Sequence, residues 1–341
     1  MHMADSLLSP AVGTALCAVS ASCLAFSIAR IKKDELCEKK IPIVGVMGAF
    51  IFAVQMINFT IPATGSSGHL SGGILLAAML GSFPSLLAIS AVLIIQCLLF
   101  ADGGLLALGC NIFNLGIVPC LIVYPLIFKP LLKNGISNGG ITAASIAAVA
   151  VSLQIGAFCV VLQTLFSGIT ELPFLTFLLL MQPIHLAIGL IEGVVTAAVL
   201  CFVYKMRPEI MESAFERKAI KNGSPVKNIL IAFTVITLIA GGVLSLYVSS
   251  HPDGLEWSIE KTAAAAEIET KYNLISEAEA VQKKMALMPE YAFRNEGENA
   301  VNATAAAGIL GSAFVFIFAG IVVFIIFLFK KKQKDKVLIS A

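Results

Sequence analysis

The chain has 341 residues, of which 58% are hydrophobic and only 13% charged, and its mean hydropathy is +0.93. A soluble globular protein has roughly 45–50% apolar and about 25% charged residues, so this chain carries too little charge to cover a surface that faces water. The composition predicts an integral membrane protein and excludes a soluble enzyme, a nucleic-acid binder and a disordered scaffold. Its net charge of +2 gives no reason to expect a polyanionic partner.

Apolar segments follow one another along most of the chain. A helix needs about 20 residues to cross a hydrocarbon core of ~30 Å, which predicts an all-α polytopic bundle with about seven spans in the first part and two in the C-terminal region. The nine segments are residues 10–30, 41–62, 70–86, 87–101, 112–128, 141–165, 173–204, 228–249 and 306–329. The third and fourth form one run interrupted by Gly81-Ser82-Phe83-Pro84, which predicts a tight hairpin between two short spans.

The basic residues predict an orientation for this bundle. Of the 23 lysines and arginines, 18 follow spans one, five, seven and nine, which alternation places on the same side. The positive-inside rule makes that side cytoplasmic. We therefore expect Met1 outside and Ala341 inside a multi-pass protein of a prokaryotic cell membrane. The first 25 residues have no positive charge before their apolar run, unlike a signal peptide, so an uncleaved first span is expected.

The spacing of these segments divides the chain into a seven-span domain (1–205), a basic cytoplasmic linker (206–227) and a two-span C-terminal domain (228–341). Between its two spans, the C-terminal domain has an outer segment at 250–305, and a solvated helix is expected at about 258–288. The phosphate-loop pattern GxxxxGK[ST] and the GxSxG and HExxH motifs are absent from the sequence. An enzyme or a self-sufficient ATPase therefore has little support.

Two of the four histidines, His2 and His69, suggest a metal site. The terminal amine of Met1, the peptide nitrogen of His2 and the His2 imidazole can close a five-membered and a six-membered chelate ring on one metal ion. Methionine aminopeptidases need a small second residue, so Met1 is expected to remain. His69, in the glycine-rich loop GSSGHLSGG, could add a fourth nitrogen from the same side of the membrane. A planar set of four nitrogens suits Ni²⁺ or Cu²⁺, with Co²⁺ close behind.

Four stretches carry a resemblance to a known family. MHMADSLLSPAVG, GHLSGG, LFADGGLLALGCNIFNLGI and IHLAIGLIEGVVT resemble the M component (CbiM/NikM type) of energy-coupling factor transporters for cobalt and nickel. HPDGLEWSIEKT at 251–262 resembles the PDGLE signature of the small N component. Together the two resemblances cover nearly the whole chain, which looks like a natural fusion of M and N components.

The resemblance implies a function and a ligand set. The family captures Ni²⁺ or Co²⁺ outside the cell with the Met1 amine, the amide nitrogen and imidazole of His2, and the imidazole of His69. A separate transmembrane T subunit and cytoplasmic ABC ATPases then drive translocation, and the N region supports metal loading. The metal is the transported substrate, no cofactor is implied, and the ligand set does not choose between nickel and cobalt.

Four further polar residues in the spans are candidates for holding these ligands in place, namely Asn111, Asn114, His185 and Glu192. His185 and Glu192 are seven residues apart and share a helix face, but bundle-stabilising hydrogen bonds would explain them equally well. Two rival functions stay open: a secondary transporter of divalent metal driven by protons through His185 and Glu192, and a membrane-bound metal-dependent enzyme. Dependence of uptake on ATPase partners or on a pH gradient would separate the two transporter types.

Overall fold

The computed structural model describes residues 1–33, 40–216, 226–263, 273–293 and 300–340. Its regular structure is almost entirely helical, which confirms the all-α prediction. Within the described residues, seven helices are long and apolar enough to cross a membrane. The protein is therefore a multi-pass membrane bundle.

The first part of the chain contains seven apolar helices in the described residues. They are α1 (Pro10–Lys33), α2 (Lys40–Gln55), α3 (Gly73–Leu80), α4 (Ser82–Ile95), α5 (Leu108–Ile112), α6 (Asn138–Ser167) and α7 (Phe174–Met206). Two of them continue as π-helix, α4 over Gln96–Phe100 and α5 over Phe113–Phe128. Helices α6 and α7 pack along each other for most of their length, and α7 carries both His185 and Glu192.

The third helix differs from the predicted span. The chain breaks at Gly81, whose φ of 86° is in the region that favours glycine, and α4 starts at Ser82 so that Pro84 lies in its first turn. The predicted hairpin is therefore confirmed. However, α3 has only eight residues, or about 12 Å of helix, and cannot cross a membrane alone. The preceding residues 69–72 are not helical; they form a loop whose Ser71 N–H donates to the buried Glu192.

A short antiparallel hairpin precedes this loop. Strand β1 (Phe59–Ile61) pairs with β2 (Ser66–Gly68), with Thr60 opposite Ser67. The second predicted span, residues 41–62, thus ends as helix at Gln55 and its last residues form a strand. We call the end of the bundle that carries this hairpin and Met1 the site end.

The C-terminal part adds helices that contact both the bundle and its site end. They are α8 (Pro208–Glu216), α9 (Lys227–Gly242), α10 (Gly254–Ala263), α11 (Asn273–Met285) and α12 (Ala300–Ser340). The apolar helices α9 and α12 pack against α2, and α8 packs against α3. The single helix expected at 258–288 is seen as parts of α10 and α11, and residues 264–272 between them lie outside the described residues, as do residues 217–225 of the expected linker.

Candidate metal-binding site

The amino terminus is buried at the site end of the bundle. Met1 is 5% exposed and Met3 is fully buried. The backbone N–H of Met3 donates to Oδ1 of Asn111 (2.8 Å), and Nδ2 of Asn111 donates to the Met3 carbonyl (3.2 Å). The Met3 carbonyl also accepts from the N–H of Gly104 (3.0 Å). These contacts fix the backbone immediately after His2.

Asp5 closes the turn that leads from the terminus to α1. Its Oδ1 accepts from the N–H of Ala107 (2.9 Å), and burial raises the pKa of its carboxyl group. Gly104 lies against the same carboxylate, so closely that a Cβ at this position would overlap it. The amino-terminal segment is thus packed into the loop between α4 and α5 with no spare room.

Glu192 anchors the loop that carries His69. One carboxylate oxygen accepts from the backbone N–H of Ser71 (2.8 Å), and the other accepts from the Ser71 hydroxyl (2.7 Å) and the N–H of Gly72 (2.9 Å). Gly72 has a φ of 79°, which allows the chain to turn into α3 there. The buried Glu192 therefore holds the loop two residues after His69.

The rings of His2 and His69 lie face to face. Their centroids are 5.3 Å apart and their planes differ by 8°. Nδ1 of His69 lies 3.1 Å from the Leu70 carbonyl, which can only accept, so this nitrogen carries the proton and Nε2 has a free lone pair. Burial lowers the pKa of both imidazoles; for His69, the Met1 ammonium and His2 also contribute and the pKa falls to about 3. Both rings are therefore neutral near pH 7, the form that binds metal.

One carboxylate contacts the Met1 amine and another contacts the His2 imidazole. The Met1 ammonium donates to Oδ2 of Asp253 at 2.6 Å. Burial alone would raise the pKa of the Asp253 carboxyl group, but the Met1 ammonium outweighs it and holds that pKa well below its usual range. Nδ1 of His2 lies 3.4 Å from Oδ1 of Asp102.

Asp253 belongs to the Pro-Asp-Gly-Leu-Glu segment, which docks onto the hairpin. Its other oxygen, Oδ1, accepts from the N–H groups of Leu255 and Glu256 (2.8 Å each) and so caps α10. Ser67 of β2 donates its N–H to the Pro252 carbonyl and its hydroxyl to the His251 carbonyl, each at 2.8 Å. The C-terminal part of the chain therefore supplies one wall of the site.

Asp102 is also held by the C-terminal part. The hydroxyl of Tyr291 donates to its Oδ2 at 2.5 Å. Burial and the Asp102 charge raise the pKa of Tyr291, so the phenol keeps its proton. Nearby, Nε2 of Gln282 donates to the Gly103 carbonyl (2.7 Å) and so fixes the same loop.

A small cavity, about the size of one water molecule or ion, lies at the centre of this arrangement. Met1, His69, His185, Asp253 and Gly254 are among the residues that line it. Within the part of the chain that the structure describes, no three His, Cys, Asp or Glu side chains converge as a ready-made metal cage. The predicted donor set uses only two side chains, and its other two nitrogens belong to the terminus and the backbone.

The structure brings Met1, His2 and His69 together and gives the four supporting candidates different surroundings. Asn111 holds the backbone of Met3, and Asn114 pairs with the Gln163 amide (2.9 Å and 3.0 Å) beneath it. Glu192 holds the His69 loop, whereas His185 faces the cavity. The side chain of His251 is exposed.

Sequence reasoning missed the two carboxylates, Asp102 and Asp253. Asp253 has an available signal, since an Asp immediately before a helical stretch is typical of a helix cap, but a cap gives no hint of a contact with Met1. Asp102 lies in a glycine-rich loop, where an aspartate is typical of a turn and gives no hint of a contact with His2.

Comparison with known proteins identifies the family of this chain. Residues 2–210 match the family described as the cobalt uptake substrate-specific transmembrane region, and residues 227–328 match the PDGLE domain. The chain therefore belongs to this cobalt uptake family and carries the PDGLE domain fused behind it. This confirms the resemblance that the sequence motifs indicated.

Two relatives and a solved structure match different shares of this chain. A protein of Archaeoglobus fulgidus, whose name proposes a fused nickel transport protein, is 30% identical over 92% of this chain and 95% of its own length. A protein of Haloquadratum walsbyi, whose name proposes metal transport, is 34% identical over 63% of this chain and 95% of its own. A crystal structure described as a transition metal transporter superposes with a TM-score of 0.54 at 26% identity, covering 63% of this chain and 98% of that one.

Proposed function

We propose that this protein captures Ni²⁺ or Co²⁺ as the substrate-binding component of an energy-coupling factor transporter. The ion is held by the Met1 amine, the peptide nitrogen and imidazole of His2, and the imidazole of His69. The observation that carries the proposal is the meeting of the buried terminus with two parallel, neutral imidazoles 5.3 Å apart. The family match and the relatives whose names give cobalt or nickel transport support the choice of metal.

Binding requires a rearrangement at His2. A six-membered chelate ring with the His2 peptide nitrogen is closed by Nδ1, the atom that faces Asp102 at 3.4 Å. The carboxylate must therefore give up this contact when the ion enters. A divalent ion with one deprotonated peptide nitrogen has a net charge of +1, the same as the ammonium that it replaces, so Asp253 faces one positive charge in both states.

The remaining parts of the proposal concern partners and placement. A transmembrane T subunit and cytoplasmic ABC ATPases drive translocation, since the sequence has no phosphate-binding loop of its own. The site end faces outward and the C-terminus lies in the cytoplasm of a prokaryotic cell. Residues 1–205 form the capture domain, 206–227 the linker and 228–341 the PDGLE-type domain, whose contacts with Met1 and the hairpin suit a role in metal loading.

The decisive experiment is Ni²⁺ and Co²⁺ binding by purified protein with a native terminus, with the two ions in competition. One residue added before Met1 turns the amine into a peptide nitrogen, so high-affinity binding is expected to be lost, whereas a tag after Ala341 leaves it intact. His2→Ala is expected to act like the extension, and His69→Ala to weaken binding by roughly 10–100-fold or more. Equal affinity of the extended and native proteins would place the site elsewhere.

Uptake separates the proposal from its main rival. Sustained accumulation of metal is expected to need the T subunit and ATPases, and the single chain is expected neither to bind nor to hydrolyse ATP. Uptake by the isolated chain that follows a pH gradient would instead favour a proton-coupled secondary transporter.

A further inference from the structure

His185 presents a bare imidazole nitrogen to the cavity. The side chain is 1% exposed on α7, and Nδ1 lies 2.8 Å from the Met181 carbonyl. Because a carbonyl oxygen only accepts, Nδ1 carries the proton and Nε2 carries a lone pair. Nε2 is buried and has no hydrogen-bond partner. A buried acceptor left unpaired costs about 1–3 kcal/mol, which makes a partner in the loaded state favourable.

This nitrogen lies where the docked PDGLE segment meets the terminus. A Cβ built on Gly254 would be 3.4 Å from Nε2 of His185, so the start of α10 packs directly against the ring. Asp253, the preceding residue, binds the Met1 ammonium. Met1, Asp253 and His185 line the same cavity. His185 and Asp253 thus border the cavity that Met1 lines from two elements that are distant in the sequence.

The stereochemistry of an amine gives this pair of acceptors a meaning. A metal-bound primary amine has four tetrahedral directions, of which one is the Cα bond, two are N–H bonds and one is the lone pair on the metal. Two fixed hydrogen-bond acceptors for the N–H bonds therefore fix the direction of the lone pair. Asp253 already accepts from this nitrogen in the metal-free protein, and the buried, unpartnered Nε2 of His185 is a second acceptor among the residues that line the cavity.

We propose that His185 is a positioning residue whose Nε2 accepts the second N–H of the metal-bound Met1 amine. Asp253 accepts the first N–H, and together the two residues aim the amine lone pair at the ion. The inference rests on the proposed function, because it requires the Met1 amine to be a ligand. His185 itself does not bind the metal in this arrangement.

Two substitutions separate the two nitrogens of the ring. The side-chain amide of His185→Asn can still donate to the Met181 carbonyl but does not reach the position of Nε2. The longer side chain of His185→Gln places a carbonyl oxygen near the position of Nε2 but gives up the bond to Met181. Thr196→Val, at another buried position of α7 that does not line the cavity, serves as the control.

Ni²⁺ titration of these variants with a native terminus tests the proposal. The Asn variant is expected to bind Ni²⁺ about 10–100-fold more weakly, the Gln variant to recover most of the affinity, and both to keep the visible spectrum of the native complex. Native Ni²⁺ affinity in the Asn variant overturns the inference, because it shows that Nε2 is not needed. Loss of affinity in the Gln variant also overturns it, because it shows that Nδ1 or the packing of the ring matters instead. A changed visible spectrum overturns it too, because that would make His185 a metal ligand.

A measurement on the native protein keeps the test valid if a variant does not fold. In protein labelled with ¹⁵N-histidine, Ni²⁺ is expected to move the Nε2 resonance of His185 in the direction of a hydrogen-bonded acceptor. An unmoved resonance in a protein that binds Ni²⁺ through its free terminus overturns only this inference. Ni²⁺ binding that does not depend on the free terminus overturns the proposed function together with it.

Discussion

The carboxylate of Asp253 accepts a hydrogen bond from the terminal ammonium of Met1 at 2.6 Å, although 252 residues separate the two. The same carboxylate caps α10 with its other oxygen. One side chain thus joins the amino terminus of the chain to the first turn of the PDGLE segment. Docking of this segment and placement of the terminus are therefore physically linked.

Asp253→Asn is expected to weaken Ni²⁺ binding about tenfold while the fold is kept. Asn caps a helix about as well as Asp, so α10 remains capped, but an N–H₂ group then faces the amine in place of an acceptor. Loss of such a partner of a metal ligand costs 10–100-fold in affinity. Isothermal titration with Ni²⁺ measures the change.

Glu256→Gln is the matched control, since Glu256 is a carboxylate on the same helix that accepts from the Asp253 N–H (3.3 Å) and not from the Met1 amine. Its Ni²⁺ affinity is expected to stay close to native. An equal loss in both variants would contradict a specific role for Asp253.

Glu192→Gln is expected to loosen the loop that carries His69. The carboxylate accepts hydrogen bonds from three donors on Ser71 and Gly72. An amide would replace one of the two accepting oxygens with an N–H₂ group, which cannot accept. Ni²⁺ affinity should fall by roughly tenfold or more, and the amide hydrogens of Ser71 and Gly72 should exchange faster. Glu171→Gln, at an exposed position, should change neither quantity.

The same variant separates the proposed function from the rival proton-coupled secondary transporter. If Glu192 carried protons for a secondary transporter, Glu192→Gln would stop pH-driven uptake while Ni²⁺ binding stayed native.

Gly104→Ala is expected to displace the amino-terminal segment. A Cβ there would overlap the carboxylate and backbone nitrogen of Asp5, and overpacking of this kind costs about 1–3 kcal/mol. Both thermal stability and Ni²⁺ affinity should therefore decrease. Gly139→Ala, where no atom lies within 4 Å of the added Cβ, should lower neither quantity. Native Ni²⁺ affinity in Gly104→Ala would show that the packing of the segment is not needed.

Metal affinity is expected to rise with pH because of the terminus and backbone, not the imidazoles. Burial lowers the pKa of His2, and that of His69 to about 3, so burial favours the neutral form of both rings. Binding then releases two protons, from the ammonium and the peptide nitrogen. Each released proton raises the affinity about tenfold per pH unit.

Calorimetry in buffers of different ionisation enthalpy counts these protons. A count near two at pH 6 agrees with the proposed ligand set. A count near four would show that the imidazoles start protonated, against the effect of their burial.

Single cysteines introduced along the chain test the orientation. Labelling reagents that do not cross membranes should reach positions 34–38 and 210–225 only from the cytoplasm, and positions 255–300 only from outside. The expectation follows from the distribution of 18 of the 23 basic residues. Cytoplasmic labelling of position 270 would rule out nine alternating spans.

The apolar spans and the proximity of Met1 and His2 could be determined from the sequence alone. A span depends on hydropathy over about 20 consecutive residues, and the chelate depends on covalent neighbours. The break at Gly81 was also predictable, because Gly and Pro act on their own backbone. The short length of α3 was not, because residues 69–72 are taken out of the helix by hydrogen bonds to Glu192, 120 residues away.

Only the tertiary structure decided what surrounds the proposed metal donors. Asp253 meets Met1 across 252 residues, and Tyr291 meets Asp102 across 189. Such contacts leave no local pattern in the sequence, because a helix cap accounts for Asp253 and a turn accounts for Asp102. Only packing the C-terminal segment onto the hairpin and the loop after α4 brings these groups within hydrogen-bond distance and buries the proposed chelate.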